Sequence, residues 1–336
     1  MGSAEPPNNA DIAARTPGQA DVSGIPNSER QRSSRHDQTA PKSQFLGARG
    51  GHHIDRTNAL GKSPKTFNGC GTLGPGGSGK SFILTRAIKA AGDCLVINAS
   101  NITIDLGGCR IQGDGTDTDI RSQFGAVLGG VVIKKGTVTG FTHGIQLDAG
   151  IGGAMEVTEV DQVKILDNVN TGVSIGLRGT ISNSVAGGNG TGGIFARSGS
   201  TIVSTVVQRN GASNSGDGID RTAREVSETG GASIRTRLAG SQIVGNVITN
   251  NGEQGIEPEE QGHLIEDITV RSNALNGIVA SEDSATIRDK AVTGNSSEEI
   301  VVQCPLIVMG NLSRLNENPD ILLGGGCETG SVANLP

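Results

Sequence analysis

The sequence predicts an all-β solenoid, one chain wound into about ten stacked coils. Three observations carry that reading. A short phrase opening on Asn recurs seven times between residues 168 and 321. Glycine is abundant at 53 residues, while Trp and Tyr are absent and only six Phe occur. The segments between the phrases alternate apolar and polar residues at period two, the mark of strands with one buried face.

The phrase reads Asn, three variable residues, Gly or an acid, then Ile or Val. Its copies span 168–173, 189–194, 214–219, 251–256, 273–278, 295–300 and 316–321. The closing anchors, Val173, Ile194, Ile219, Ile256, Ile278, Ile300 and Ile321, stand 21, 25, 37, 22, 22 and 21 positions apart. A spacing near 22 fits one coil per repeat. A tight bend between strands needs a residue near the left-handed region, which Asn and Gly tolerate best. Stacked Asn side chains also hydrogen-bond to each other and to backbone groups that the bend leaves unpaired. The Asn phrase is therefore read as structural. Its glycosylation patterns at Asn189 and Asn295 fall on positions expected to be buried.

Taken in order, residues 1–66 are Pro-, Ser-, Gln- and Arg-rich, without apolar periodicity, and read as a solvated leader. No charged start with an apolar core is visible after Met1, so no export signal is seen. That stands against the cysteines, and a start further upstream, a replaced segment or another export route all stay open. The solenoid body is placed at 67–330 and a tail at 331–336. Residues 82–91 have helical spacing and read as a short N-terminal cap over the first coil, because an open end exposes strand edges and core. Strand patterns follow at 94–97, 101–111, 126–128, 131–133 and 144–147, and then the Asn phrases. Two residues beyond each anchor, the inward series reads Ile175, Ala196, Arg221, Pro258, Ala280, Val302 and Leu323, with Leu147 before it. Only Arg221 breaks it.

The opening residues Cys70-Gly-Thr-Leu, Phe82-Ile-Leu-Thr, Cys94-Leu-Val-Ile and Asn101-Ile-Thr-Ile-Asp-Leu-Gly-Gly resemble an entry coil of bacterial right-handed parallel β-helix proteins of the pectin-lyase-like superfamily. The closing Ile300-Val-Val-Gln-Cys-Pro and Leu322-Leu-Gly-Gly-Gly-Cys are similar to the last coils of that group. The resemblance covers residues 70 to 330. It implies a right-handed parallel β-helix and an extracellular or periplasmic location. It leaves activity open, since the group holds lyases, epimerases, hydrolases and members with no assigned activity.

Several motifs carry chemistry. Gly74–Ser81 matches the phosphate-binding loop, which works between a buried strand and a helix; the residues before it make a poor strand, and nucleotide binding through Gly79, Lys80 and Ser81 is a distant alternative. Cys304 and Cys327 lie one coil apart and are expected to bond. Cys70 and Cys94 would pin the cap to the first rung, with Cys109 left over or competing for Cys94. Disulfides imply an oxidising compartment. Asp114, Asp117 and Asp119 place three carboxylates in six residues, a candidate calcium site, against the plainer reading of a solvated turn. His143 stands alone.

Stacking builds the main constellation. Outward positions beside the anchors carry Gln146 and Asp148, Phe195 and Arg197, Asp220 and Thr222, and Glu257 and Glu259. Rungs stack about 4.8 Å apart, so these form a column. The long gap between Ile219 and Ile256 adds a loop with Arg224, Arg235 and Arg237, and Glu260 and His263 follow. Acids beside arginines suit proton abstraction next to a uronate carboxylate. The catalytic candidates are Asp220, Glu257, Glu259, Arg197 and Arg221; the binding candidates are Asp148, Phe195, Arg224 and His263. An ordinary charged surface is the plain alternative.

The net charge of −6 argues against a nucleic-acid partner, and no apolar run is long enough for a membrane span. The leading expectation is a monomeric, secreted or cell-surface protein that binds acidic polysaccharide or serves as a structural module, with no cofactor required and calcium as an option. The alternative is a lyase or epimerase acting on uronate glycans.

Overall fold

The computed structural model describes residues 63–74, 78–148, 154–211, 234–236, 239–280, 285–303, 307–314, 321–323 and 332–333. Residues 1–62 of the expected leader, Cys304, Cys327 and most of the tail lie outside the described residues; Lys65–Phe67, which overlaps the leader's expected end at 66, pairs with Phe82–Leu84, and within the tail Val332–Ala333 pairs with Ile307–Arg314. No helix occurs among the described residues, and successive coils pair strand on strand in parallel. Each regular coil gives a three-residue strand to an 11-stranded flat sheet. To a 17-stranded bent sheet it gives two short strands, such as Thr180–Ser182 and Val185–Gly187, or one eight-residue strand, such as Glu159–Leu166. This is the solenoid that the repeat predicts, in the right-handed parallel β-helix form that the resemblance implies.

The core is a set of columns, because parallel register repeats the inward residue at every rung. One column runs Ile133, Val160, Ile181, Ile202, Ile243, Ile265 and Ile287, all fully buried. On the flat sheet, Leu147, Ile175, Ala196, Ala280 and Val302 are buried, as their spacing predicts. Burying one such Val or Ile side chain is worth about 1.5–3 kcal/mol, so small residues suffice when they repeat in register.

Three corners close each regular coil, and among the described residues left-handed positions recur at all three. The first corner, in the middle of the bent sheet, uses Lys135, Gln162, Asn183, Ser204, Asp267 and Asp289, with φ between 50° and 57°. The second uses Asp167, Arg209, Asn250 and Ser272, among others, and the third uses Asn101, Val157 and Arg178. The residue after each left-handed position turns inward. At the second corner it is the ladder Asn. Asn168, Asn189, Asn210, Asn251, Asn273 and Asn295 are all buried, and each donates its Nδ2 to the Oδ1 of the next at 2.8–3.2 Å. At Asn295 the Glu299 carboxylate takes the place of a further Asn, accepting from both the backbone N–H and Nδ2.

Two expectations are corrected here. Residues 82–91 are not a helical cap. They form Ser81–Leu84, a corner, and Ile88–Lys89, in register with Thr103–Asp105 and Arg110–Gln112. The apparent helical spacing of Leu84 and Ile88 arises from strand, corner and strand in succession, both residues being buried. A strand after Ser81 also removes the helix N-terminus that a phosphate loop requires. The second correction concerns register. The ladder residue between Asn189 and Asn251 is Asn210, not Asn214, and Ile194 pairs with Ile234, which pairs with Ile256. The extra chain therefore enters before the rung, between 211 and 234. The copy at 214–219 lies outside the described residues.

Candidate functional site

The outer face of the flat sheet carries one residue per rung. In register it reads Thr72, Val96, Arg121, Gln146, Ser174, Phe195, Arg235 and Glu257. Val279, Val301 and Leu322 occupy the equivalent place in the last rungs. The face is thus polar and partly cationic through its middle and apolar towards its C-terminal end. Phe195 is half-buried between inward neighbours Ile194 and Ala196, so its ring belongs to the outer face.

Arg121 is held in place by its neighbours. Its Nε donates to Asp93 Oδ2, and its Nη1 donates to the Ser122 carbonyl at 3.2 Å. Asp93 in turn accepts from the Thr118 backbone N–H at 3.1 Å. Sequence reading missed this pair. Arg121 lies two rungs outside the Asn phrases, so only its outward parity within 118–122 signalled it.

Beside this column stands a second, two residues further along the chain and just past each strand: Asp148, Gly176 and Arg197. Asp148 Oδ1 and Arg197 Nε are both shielded from solvent, and neither has a hydrogen-bond partner. The two residues are two rungs apart, roughly 10 Å along the stack. Gly176 is the residue between them. A Cβ there would fall 2.1 Å from the Met155 carbonyl oxygen, so no side chain fits. Burial lowers the pKa of nearby His143, and the Asp148 carboxylate partly restores it.

The other candidates separate. Glu257 lies on the outer column, half-buried, next in register to Arg235. Glu259 is half-buried after the same strand, its N–H bonded to the Thr236 carbonyl at 2.8 Å. His263 is not available to a ligand: it is 2% exposed, with Nε2 on the Glu259 carbonyl oxygen at 2.6 Å. Burial chiefly lowers its pKa. It fills the inward place at the third corner, after left-handed Gly262, where other coils put Ser200 and Ser241. Asp220, Arg221 and Arg224 lie outside the described residues. Their expected rung positions are taken by Arg235 and by Thr236, which is fully buried where Arg221 was expected to point inward.

The three aspartates do not fit a calcium ion. Asp114 is exposed and bonds Thr116 through its N–H and hydroxyl at 3.1 and 2.6 Å, which holds its carboxyl below the usual range. Asp117 is exposed at a left-handed bend. Asp119 is fully buried in the strand Thr118–Ser122, with neither oxygen hydrogen-bonded, and burial pushes its pKa well up. An exposed pair and a core carboxyl cannot share one ion. Among the described residues no three His, Cys, Asp or Glu side chains gather to hold a metal. Cys70 and Cys94 are disulfide-bonded, as expected, and Cys109 is free.

No family model matches the chain, and no curated protein matches it in sequence. Solved structures do match in shape. The A-module of the mannuronan C-5 epimerase AlgE4 from Azotobacter vinelandii gives a TM-score of 0.50 at 14% identity, covering 75% of this chain and 90% of that one. The Dettilon tailspike protein gives 0.52 at 12% identity, covering 76% of this chain and 54% of that one. The chain thus spans about half the length of the tailspike. At such identities the likeness is one of fold, the right-handed parallel β-helix.

Proposed function

We propose that this β-helix binds an acidic polysaccharide along the outer face of its flat sheet, between Arg121 and Glu259. The observation that carries the reading is the pair of shielded, unpartnered polar atoms on Asp148 and Arg197. A buried polar group without a partner costs about 1–3 kcal/mol, and a ligand that supplies hydroxyl and carboxylate groups recovers it. Arg121 and Phe195 extend the same surface with a cation and a ring. The chain's net charge of −6 does not oppose this. At physiological salt, charges beyond about 8 Å are screened, so the local arginines dominate. The epimerase and tailspike likenesses support the fold on which such a surface is built. The Cys70–Cys94 disulfide supports an oxidising, extracellular or periplasmic location.

Titration calorimetry with mannuronan oligomers, and with neutral dextran as the control, tests the reading. Arg197→Ala and Asp148→Ala should each weaken mannuronan binding by about tenfold, or roughly 1.4 kcal/mol. Unchanged affinity in both variants would remove this face as the site. A lyase or epimerase is the second reading, favoured by the register of Glu257 next to Arg235. Ultraviolet absorbance of unsaturated uronates and proton exchange at the sugar C5 distinguish that chemistry from binding alone.

A further inference from the structure

The first coil is shorter than those above it. After Lys65–Phe67 the chain passes through Asn68, Gly69 and Cys70 directly into Gly71–Leu73. The next coil has a corner and the strand Ile88–Lys89 before it reaches Leu95–Ile97. Ile88–Lys89 pairs with Arg110–Gln112 on one side and, among the described residues, with no strand on the other. The absent rung leaves a groove of about 540 Å³, walled by Asn68–Cys70 and by 86–91. Both walls are anchored. The Cys70–Cys94 disulfide pins the shortcut, and Arg86 Nε donates to the Asn68 carbonyl at 3.2 Å.

The free edge is a pairing template. Ala90 N–H donates to the Gln112 carbonyl at 2.8 Å, towards the sheet. Alternation along a parallel strand turns the Lys89 N–H and carbonyl the other way, into the groove. Side chains add a sign. Arg86 and Lys89 line the groove and are exposed, Arg110 stands exposed in the next rung, and no acid lines it. Ile88 points inward and is buried, whereas its neighbours Ala87 and Lys89 are exposed. An added strand would therefore carry an apolar residue against Ile88, flanked by outward residues beside cations.

We propose that this groove is a strand acceptor, taking an extended acidic segment of another polypeptide that pairs in parallel with Ile88–Lys89. Backbone pairing supplies the affinity, and the alternation of acid, apolar residue and acid supplies the specificity. This surface lies at the N-terminal end of the solenoid and does not depend on the polysaccharide reading.

The probe is a labelled, capped peptide Gly-Glu-Val-Glu-Val-Glu-Gly, titrated against the full chain by fluorescence anisotropy. Saturable binding is expected, about tenfold weaker in Lys89→Glu. Methylation of alternate backbone nitrogens of the peptide should abolish it, while Lys164→Glu, an exposed cation further along the same sheet, should leave it unchanged. Equal binding of the methylated peptide or of a Lys-for-Glu peptide overturns the proposal, as does equal weakening in both protein variants. No binding at all overturns it too. Thermal melts of each variant separate lost binding from lost fold.

Discussion

At the scale of single residues, two buried ionisable groups make opposite demands on the fold. Asp119 is fully buried without a hydrogen bond, and burial raises its pKa well above the usual carboxylate value. The folded state then holds a proton that the unfolded chain releases above about pH 4, so this group's contribution falls as pH rises towards its folded pKa. Lys290 is 4% exposed and faces inward at the first corner, where other coils place Ser184, Thr205 and Asn246. Burial lowers its pKa to about 6, against the pull of Asp289 and Glu266. Between about pH 6 and pH 10.4 the unfolded chain binds the extra proton, so stability rises with pH across that window. Urea unfolding at a series of pH values reads both. Asp119→Asn should stabilise at neutral pH and remove the falling slope, and Lys290→Met should stabilise at pH 7 and remove the rising one. Slopes unchanged from the parent would mean that neither group titrates as its burial requires. Neither residue was legible as buried in the sequence. Asp119 sat among turn-forming residues, and the column that takes in Lys290 repeats no single residue type.

At the scale of elements, the Asn ladder was legible because one residue type recurs at one corner. The other two corners were not, since their left-handed positions are filled by residues as different as Lys135, Val157 and Ser204. There the backbone repeats and the side chain does not. The same difference explains the register error near residue 214. The phrase was keyed to Gly-Ile, and a chance Gly-Ile inside the inserted segment imitated it, while Asn210 kept the true phase. The ladder's energetic role can be measured at that residue. Asn210→Ala removes the acceptor for both the N–H and Nδ2 of Asn189. Asn189 Nδ2 keeps its bond to the Ile165 carbonyl at 3.3 Å, so the buried backbone N–H is the group left unpaired, at a cost of about 1–3 kcal/mol. Reversible urea unfolding should show a loss of that size, and a loss below 1 kcal/mol would mean that the ladder is decorative.

At the scale of the whole molecule, fold and function differ in how far sequence reaches. The solenoid follows from periodicity, because each coil repeats the same solution and errors in one coil leave the others intact. The candidate site depends on which rung meets which, and so on register. Gln146, Phe195 and Glu257 share one outward column, while Arg235 and Thr236 hold the register positions expected of Asp220 and Arg221, which lie outside the described residues. His263 was misplaced for a different reason: corner positions turn inward, and strand parity does not predict them. The edge of Ile88–Lys89, unpaired among the described residues, was invisible because a missing rung leaves no residues to read.

The ladder also sets how this protein ages. Asn followed by Gly is the sequence most prone to lose its side-chain amide, because the flexible Gly lets its backbone nitrogen reach back and attack. Three ladder residues have that neighbour: Asn189, Asn210 and Asn251. Their glycine N–H groups are already committed, to the carbonyls of Asn168, Asn189 and Asn210 at 2.9, 2.9 and 2.7 Å. Asn68-Gly69, on the wall of the N-terminal groove, is exposed. Peptide mapping after long storage at mildly alkaline pH should find the acid at residue 68 and intact amides along the ladder, with the difference erased in urea. Conversion at the ladder sites in the folded protein would contradict the idea. The stack that shapes the coil then also serves as a chemical preservative, and the first place to record the passage of time is the groove beside Lys89, where a new negative charge would appear.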